Sequence, residues 1–412
     1  MAVISPTGLL GTRSPILFTW DGSNRDRLDG MELEVYAWTG DKDARPASPI
    51  YTINRTSGFV DSYPTADIAP LLENEFNQRV SKLDTDDLVT MSTDALLWVE
   101  IDYSLDWFNT ESTPLGAGTD TGTTTRFLIA DAYSKFIDGS NKDLGQAILL
   151  EDQDKYFYEF DTFNMPIYLG DVGSSYQSDV VKIKLVGSDA SNDEIVVSNQ
   201  TGEDAEDRVL LFPVGIPNLS NYIFTEGLGL SEPRLLDWWD VQILDSSDAI
   251  VDSRRFYNQC EPKYAPIQLQ YINRYGMWDS MTFFKRSDTD LDISKETYRS
   301  AVGSASASGY TWGDQSRGIR SYNSQMSKRL TMNTGLIEES NSENLEQLLM
   351  SPYVLMTINR TTTRIQDTYT IAQDFRAVNV LTESLRLQKH INDKTINYTI
   401  QVEFATPDNA ML

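Results

Sequence analysis

The sequence predicts a mainly β fold, in which several β-sandwich modules of immunoglobulin or fibronectin type, or barrel-like modules, follow one another with a few short helices. Short runs alternate between apolar and polar residues, as in Met31–Trp38. Turn-forming Gly, Asp, Asn and Ser separate these runs. Only Asp67–Val80 and Ser340–Met350 show the apolar spacing of a helix.

Residues 1–108 are predicted to form the first module, an N-terminal β-sandwich. Its helix at Asp67–Val80 follows from Asp67 as a suitable N-cap and from apolar residues that recur on one face. Three alternating runs predict strands at Met31–Trp38, Pro49–Arg55 and Leu96–Tyr103.

Residues 109–235 are predicted to form an acidic, β-rich middle module. It begins with a Thr/Gly-rich stretch at 109–125, for which we expect a long loop or an arm that contacts a partner, because it has almost no large apolar side chains. Strands are expected at Ala147–Leu150, Met165–Leu169, Val180–Val186, Glu194–Val197 and Val209–Val214.

Residues 236–412 are predicted to form a C-terminal β-rich assembly domain. Ser340 and Glu343 have the spacing of a capping box before the helix, and Gly303–Gly309 is predicted to be a small-residue linker or a flexible loop. Strands are expected at Trp238–Leu244, Pro266–Ile272, Met281–Lys285, Val354–Asn359, Arg364–Thr370 and Thr395–Phe404.

The negative charge is concentrated in one part of the chain. The sequence has 61 acidic and 34 basic residues, a net charge of −27. Residues 1–250 hold 43 acids and 16 bases, whereas residues 251–412 hold 18 of each. Nucleic acids and anionic membranes both require a basic surface, so neither is expected as a partner.

No pattern in the sequence indicates catalysis or cofactor binding. The single histidine, His390, has no orienting carboxylate or nucleophile nearby, and the single cysteine, Cys260, has no nearby histidine. No phosphate-binding loop is present. We therefore predict a protein that is not an enzyme, with no catalytic, cofactor-binding or metal-binding residues and no cofactor.

Three groups of aspartates leave an alternative open. Their oxygens suit Ca²⁺, although none has the spacing of an EF-hand loop and solvated loops remain the default interpretation. A glycosidase carboxylate pair also stays open among so many acids. The groups are Asp84, Asp86 and Asp87; Asp288, Asp290 and Asp292; and Asp21, Asp26 and Asp29.

Aromatic residues are abundant and indicate core or interface positions. Stacking on sugar rings is the alternative for Trp238-Trp239 and for Tyr310 with Trp312. The predicted interface residues are Tyr275, Trp278, Phe283, Phe284 and Trp312.

Several short sequence segments of the third module resemble those of a known class of proteins. They are YINRYGMWD at 271–279, TFFKR at 282–286, KRLTMNTG at 328–335, LLMSPYV at 348–354 and INYTIQVEF at 396–404. In this order they resemble virion structural proteins of tailed bacteriophages, of the kind found in tails, baseplates and fibre-attachment regions. The resemblance covers residues 235–412.

The resemblance implies assembly rather than catalysis. The expected function is that of a non-enzymatic structural component of a phage virion, tail-associated as a ring, baseplate or fibre adaptor and made in the host cytoplasm. Its expected partners are other copies of itself and neighbouring virion proteins, reached through symmetric contacts. The alternatives are a carbohydrate- or receptor-binding module and a glycoside hydrolase.

Overall fold

The computed structural model describes residues 3–20, 27–59, 65–77, 89–91, 95–109, 116–151, 154–170, 180–198, 208–245, 247–259, 263–300, 302–311, 318–365, 368–382 and 395–406. The fold is mainly β, as predicted, with several separate sheets and short helices. Two compact units are formed: unit 1 comprises Met1–Glu261, Gln270–Met281 and Arg360–Ala372, and unit 2 comprises Pro262–Leu269, Thr282–Asn359 and Gln373–Leu412. The three-part division at residues 108 and 235 stays a prediction.

The first half of unit 1 is a two-layered β structure. A six-stranded sheet packs against a three-stranded sheet and a helix, and side chains such as Phe18, Leu33, Val99 and Phe127 fill the space between the layers. The elements are β1 (Val3–Ile4), β2 (Leu9–Gly11), β3 (Leu17–Trp20), β4 (Arg27–Trp38), β5 (Tyr51–Phe59), β6 (Thr65–Asp67), α1 (Ala69–Asn77), β7 (Thr90–Met91), β8 (Leu97–Asn109), β9 (Gly116–Thr123) and β10 (Phe127–Ala130).

The central sheet has the order β2-β10-β8-β4-β5, with β9 paired to β8, and the smaller sheet has the order β1-β3-β6. The strands predicted in this half are present, and helix α1 begins at Ala69, two residues after the predicted start at Asp67. The predicted end of the helix, residues 78–80, lies outside the described residues. Asp67 does act where the helix begins, because its Oδ1 atom accepts the N–H of Ala69 at 3.1 Å.

The prediction of a loop at 109–125 is wrong for residues 116–123, which form strand β9. All eight residues pair with β8, from Gly116 opposite Asn109 to Thr123 opposite Asp102. Its glycines make the pairing possible: a Cβ atom at Gly118 would lie 2.6 Å from the Trp107 ring, and one at Gly122 would lie 2.4 Å from the Tyr103 hydroxyl. Aromatic side chains of β8 thus supply the apolar cover that β9 lacks.

The second half of unit 1 repeats the two-layered plan. Its elements are β11 (Lys155–Phe157), β12 (Asn164–Tyr168), β13 (Val180–Gly187), β14 (Asn192–Ser198), β15 (Val209–Pro213), α2 (Ile216–Glu226), β16 (Trp238–Leu244) and β17 (Ile250–Asn258). One sheet has the order β11-β17-β16-β13-β14 and the other β12-β15-β7. Phe157, Trp239 and Phe256 stack on one another in the core, with ring centroids 5.7–6.3 Å apart.

Tight packing, rather than sequence preference, accounts for helix α2, which the sequence did not predict. Its segment IPNLSNYIFTE contains Pro, Asn and Ser, which are poor helix formers. Residues 216–223 are nevertheless all buried, and the Asn218 amide donates to the Phe163 carbonyl at 3.0 Å. Gly227 ends the helix with a left-handed backbone, φ +67°.

A tight turn joins β18 (Ile267–Ile272) to β19 (Trp278–Phe283). The Asn273 side chain organises it: its Oδ1 atom accepts the N–H groups of Tyr275 and Met277, and its amide donates to the Leu149 carbonyl at 2.9 Å. Gly276 has φ +76°, and a Cβ atom there would lie 3.0 Å from the Asp131 backbone. Tyr275 and Met277 therefore pack into a third core of unit 1, with Trp98 and Tyr168.

Unit 2 contains the remaining strands and one helix. They are β20 (Asp288–Arg299), β21 (Ser304–Ser306), β22 (Gly309–Thr311), β23 (Ile319–Asn333), β24 (Ile337–Glu338), α3 (Ser342–Met350), β25 (Val354–Ile365), β26 (Thr368–Val380), β27 (Thr395–Ile396) and β28 (Thr399–Phe404). The bounds of the two units fall within β18, β19, β25 and β26. In unit 2, β26, β28, β23 and β20 pair in that order.

Three predictions for unit 2 need correction. Gly303–Gly309 is not a linker, because Ser304–Ser306 and Gly309–Thr311 pair as a short hairpin. Helix α3 begins at Ser342, so its N-cap residue is Asn341 rather than Ser340, and the Asn341 side chain makes no capping hydrogen bond. The predicted strand Arg364–Thr370 is divided between the end of β25 and the start of β26. No helix within the described ranges has the length and apolar character needed to cross a membrane.

The contribution of a buried ion pair to the stability of unit 1 can be tested by substitution. Lys155 on β11 contacts Asp279 on β19, and their side chains are 5% and 0% exposed. Replacing Lys155 with Ala leaves the Asp279 carboxylate buried without its cation, and we expect the free energy of unfolding to fall by about 3–5 kcal/mol. Urea titration followed by tryptophan fluorescence measures the change.

The control is Lys182→Ala, which removes a pair of the same types on the surface, with Asp248 at 2.5 Å. Solvent screens that pair, so we expect a much smaller change. Equal effects of the two substitutions would contradict the structural role of Lys155.

Candidate assembly surface

The longest hairpin among the described residues of unit 2 is exposed over most of its length. We call it the arm and define it as the described residues of Asp288–Asn333, which are 288–300, 302–311 and 318–333. Strand β20 pairs with β23 over its whole length, from Asp288 opposite Thr331 to Arg299 opposite Ile319. Every residue of β20 is exposed. At about 3.4 Å per residue, its twelve residues extend for roughly 40 Å.

The two faces of the arm differ in chemistry. Residues directly opposite each other in an antiparallel pair point to the same side. Thr289 and Leu330, Leu291 and Lys328, and Ile293 and Met326 are such pairs, and these six side chains form the apolar face of the arm. Leu330, at the base of the arm, is only 7% exposed, whereas Leu291 and Ile293 are 56% and 57% exposed, so this face is open to solvent at Leu291 and Ile293.

Most of the arm consists of two strands only. Strand β28 joins β23 at Arg329–Asn333, and β20 is an edge strand of its sheet. From Leu291 and Lys328 outwards, about 30 Å of ribbon pairs with no third strand among the described residues. An isolated two-stranded hairpin is marginally stable in water, and free edges are templates for pairing with another chain.

The opposite face of the arm carries Asp288, Asp290 and Asp292, one of the groups considered for Ca²⁺. Their segment is a strand, not a loop, and two of the three carboxylates are neutralised by arginines: Arg286 lies 2.7 Å from Asp288, and Arg329 lies 3.1 Å from Asp292. Within the described ranges, no three His, Cys, Asp or Glu side chains converge as a metal site. Asp21, Asp26, Asp84, Asp86, Asp87, Cys260 and His390 lie outside those ranges, and the side chain of Asp29 is not described.

The outer part of the arm is basic. Residues 295–328 contain five basic and two acidic residues, a net charge of +3 in a chain of net charge −27. No described carboxylate lies within ion-pair distance of Lys295, Arg299 or Arg320. Tyrosines accompany these cations, with Tyr298 and Tyr322 in an edge-on contact at 6.0 Å between ring centroids.

Four of the five predicted interface aromatics lie outside the arm. Tyr275 and Phe283 are 2% and 1% exposed, so their side chains form the interior of the chain. Trp278 and Phe284 are half-buried, and Trp312 lies outside the described residues. The interface role of these five residues stays a prediction. The alternation in TDLDISK at 289–295 was the available sequence signal for the arm.

A second exposed apolar feature is the single turn Phe136–Asp138 in unit 1. Phe136 and Ile137 are 103% and 89% exposed. The turn is held in place on both sides: the Asp138 carboxylate accepts the N–H of Lys135 at 3.1 Å, and the Asn141 side chain exchanges two hydrogen bonds of 2.7 Å with the Leu17 backbone. Two apolar side chains are thus presented to solvent by fixed backbone.

Unit 1 also has an acidic surface, the outer face of its six-stranded sheet. The carboxylates of Glu32 and Glu34 on β4 and of Glu100, Asp102 and Asp106 on β8 point to this side, away from the core residues that alternate with them. At one end, Arg45 and Arg126 pair with Glu100 and Asp102. At the other end, Glu32 and Asp106 are exposed, and no basic side chain pairs with either of them among the described residues.

Strand β9 contributes to this acidic face. The hydroxyl groups of Thr119 and Thr123 donate to Asp106 and Asp102, each at 2.6 Å. Partial burial on its own raises the pKa of Asp102, but hydrogen bonds from Arg45 and Thr123 outweigh this effect and lower its pKa below the ordinary value. Asp102 is therefore ionised at neutral pH, and the face keeps its negative charge.

Comparisons with protein-family models and with curated proteins found no match for this chain.

Hydrogen exchange tests whether the arm is uncovered in the separate chain. Because both edges of the outer ribbon meet solvent, we expect amides at 294–299 to exchange at least about tenfold faster than those of the central strand pair β4–β8. Mass spectrometry of peptides from a dilute sample measures the exchange rates of both segments. Equal protection of the two regions in a confirmed monomer would show that the arm is covered by its own chain.

Proposed function

We propose that this chain is a non-enzymatic structural component of a tailed-phage virion, tail-associated as a ring, baseplate or fibre adaptor subunit, and that copies assemble through symmetric contacts. The observation that carries the proposal is the arm, a roughly 40 Å ribbon with one apolar face, of which the outer part, about 30 Å long, pairs with no third described strand. Such a ribbon suits contact between subunits, because burial of its face and pairing of its edges both favour association.

Two further features support assembly rather than catalysis. The turn at Phe136–Asp138 offers a second apolar contact, and a subunit that contacts neighbours on two sides needs two distinct surfaces to form a closed ring. Among the described residues, the carboxylates of the arm and of the outer sheet face are mostly engaged by arginines or threonines. They are not a bare pair facing a cleft, which a glycosidase would need.

A glycan- or receptor-binding function is the second candidate, and the exposed tyrosines of the outer arm favour it. Tyr298, Tyr310 and Tyr322 are 45%, 54% and 66% exposed, and flat aromatic rings of this kind stack on sugars. Glycan-array binding that is lost in Tyr322→Ser would support this candidate. If neither the original chain nor the Tyr322→Ser variant binds any glycan, the glycan-binding function is excluded, and contact between subunits remains the proposed role of these tyrosines.

The location of the chain is testable in the phage that encodes it. We expect mass spectrometry of purified particles to detect the chain at several copies per particle, in a fixed ratio to other tail proteins. Electron microscopy with an antibody to the chain should label the tail. Absence from purified particles would exclude the proposal.

Removal of the apolar contact should weaken assembly. In the double variant Leu291→Ser, Ile293→Ser, we expect the concentration at half-association to rise at least about tenfold, because burial of each side chain contributes roughly 1.5–3 kcal/mol and 1.4 kcal/mol corresponds to a factor of ten. Analytical ultracentrifugation over a range of concentrations gives the midpoint.

The matched control is Val196→Ser, Ile250→Ser, which replaces apolar side chains of the same exposure, 58% and 57%, in unit 1. This variant should associate as the original chain does. If the arm variant also associates normally, the arm is not the contact between subunits.

A further inference from the structure

We infer that the outer part of the arm of one copy docks on the acidic outer face of the six-stranded sheet in unit 1 of a second copy. The inference rests on the proposed function and adds the identity and chemistry of the two surfaces that meet.

The first step concerns the charges of the two units. Unit 1 contains 47 acidic and 21 basic residues, a net charge of −26, whereas unit 2 contains 14 and 13, a net charge of −1. Two copies that approach through their first units repel each other strongly. A contact between the arm and unit 1 avoids this repulsion, since the outer arm has a net charge of +3.

The cations of the arm differ in whether they interact with their own chain. Arg329 pairs with Asp292 and lies 4.0 Å from Glu403, and Lys328 lies 5.3 Å above the Phe404 ring, so both contribute to their own chain. Lys295, Arg299 and Arg320 have no such partner among the described residues. They lie along the part of the arm where β20 and β23 form a two-stranded ribbon.

The two ends of the acidic sheet face differ in how far their carboxylates are neutralised. At one end of the acidic face, Arg45 lies against the Tyr36 ring at 3.6 Å and pairs with Glu100 and Asp102. The other end offers Glu32 and Asp106, which are exposed and have no cation beside them in the described part of the chain. At the first end, Arg45 and Arg126 neutralise the carboxylates of their own chain. At the other end, arginine and lysine side chains of a neighbouring copy would neutralise Glu32 and Asp106 in the same way.

The resulting contact is heterologous, because the arm of one copy meets a different surface of the next. Contacts of this kind generate rings when the rotation closes and filaments when it does not. The apolar face of the arm gives affinity in this scheme, and the charges select the docking site and the orientation. Association should therefore weaken as salt rises from 50 to 500 mM, which pure apolar docking does not do.

Charge exchange between the two surfaces tests the inference. The arm variant is Lys295→Glu, Arg299→Glu, Arg320→Glu, and the sheet variant is Glu32→Lys, Asp106→Lys. We expect each alone to raise the concentration at half-association at least about tenfold. An equimolar mixture of the two, or one chain that carries all five changes, should assemble again, since acidic arms then meet basic sheet faces.

The control variant is Lys142→Glu, Lys184→Glu, Lys263→Glu, which changes the net charge as the arm variant does but outside both surfaces. Circular dichroism and urea titration establish that each variant folds. Loss of assembly in the two single-surface variants with restoration in the mixture supports the inference, and loss without restoration overturns it.

The failures of the two proposals differ. If the arm charge variant assembles normally while Leu291→Ser, Ile293→Ser does not, the arm is the contact but its partner is not the acidic sheet face. If neither variant changes association, both the docking site and the arm-mediated assembly are excluded.

Discussion

The constraint on which the rest of this structure depends is that a β-strand must satisfy two faces and two edges. In unit 1, sheets pack on sheets, and even the glycine-rich strand β9 is covered by Trp107 and Tyr103. In unit 2, the arm satisfies neither requirement beyond Leu291 and Lys328, because it has one apolar face without cover and two edges without pairs. The proposed assembly follows from this contrast, since a second chain would supply the missing cover.

Hydrophobic alternation predicted most of the fold because a strand that is buried on one side must alternate. This explains why β13 and β16 are predicted within one residue of their observed bounds, and why β4 and β8 are located although both are longer than predicted. The predicted strand Thr395–Phe404 is divided between β27 and β28. The segment 116–123 could not be predicted in the same way, since its cover comes from aromatic rings on a neighbouring strand. Helix α2 could not be predicted either, because burial of Ile216, Leu219 and Tyr222 overrides the poor helix preference of Pro217 and Asn218.

The candidate surface was predicted less well, for a physical reason. Aromatic side chains favour interiors and interfaces alike, so composition could not distinguish Tyr275, which fills a core, from Tyr322, which is exposed. The Asp288, Asp290, Asp292 series suggested a loop for Ca²⁺, although its period of two is that of one strand face. The uneven distribution of charge along the chain is evident from the sequence. Which cations pair within their own chain, and which could dock on a neighbour, depends on the folded structure.

The order in which unit 1 draws on the chain has a consequence for synthesis. Unit 1 includes Gln270–Met281 and Arg360–Ala372, so the ribosome must pass residue 372 before this unit has all its parts. Asn221, buried in α2, exchanges hydrogen bonds of 2.8 and 2.7 Å with the backbone of Tyr369. The arm at 288–333 is therefore translated before unit 1 can close. The six strands of the acidic sheet lie within residues 9–130 and are synthesised before the arm, whereas the unit around that sheet gains its last parts only after the arm has left the ribosome.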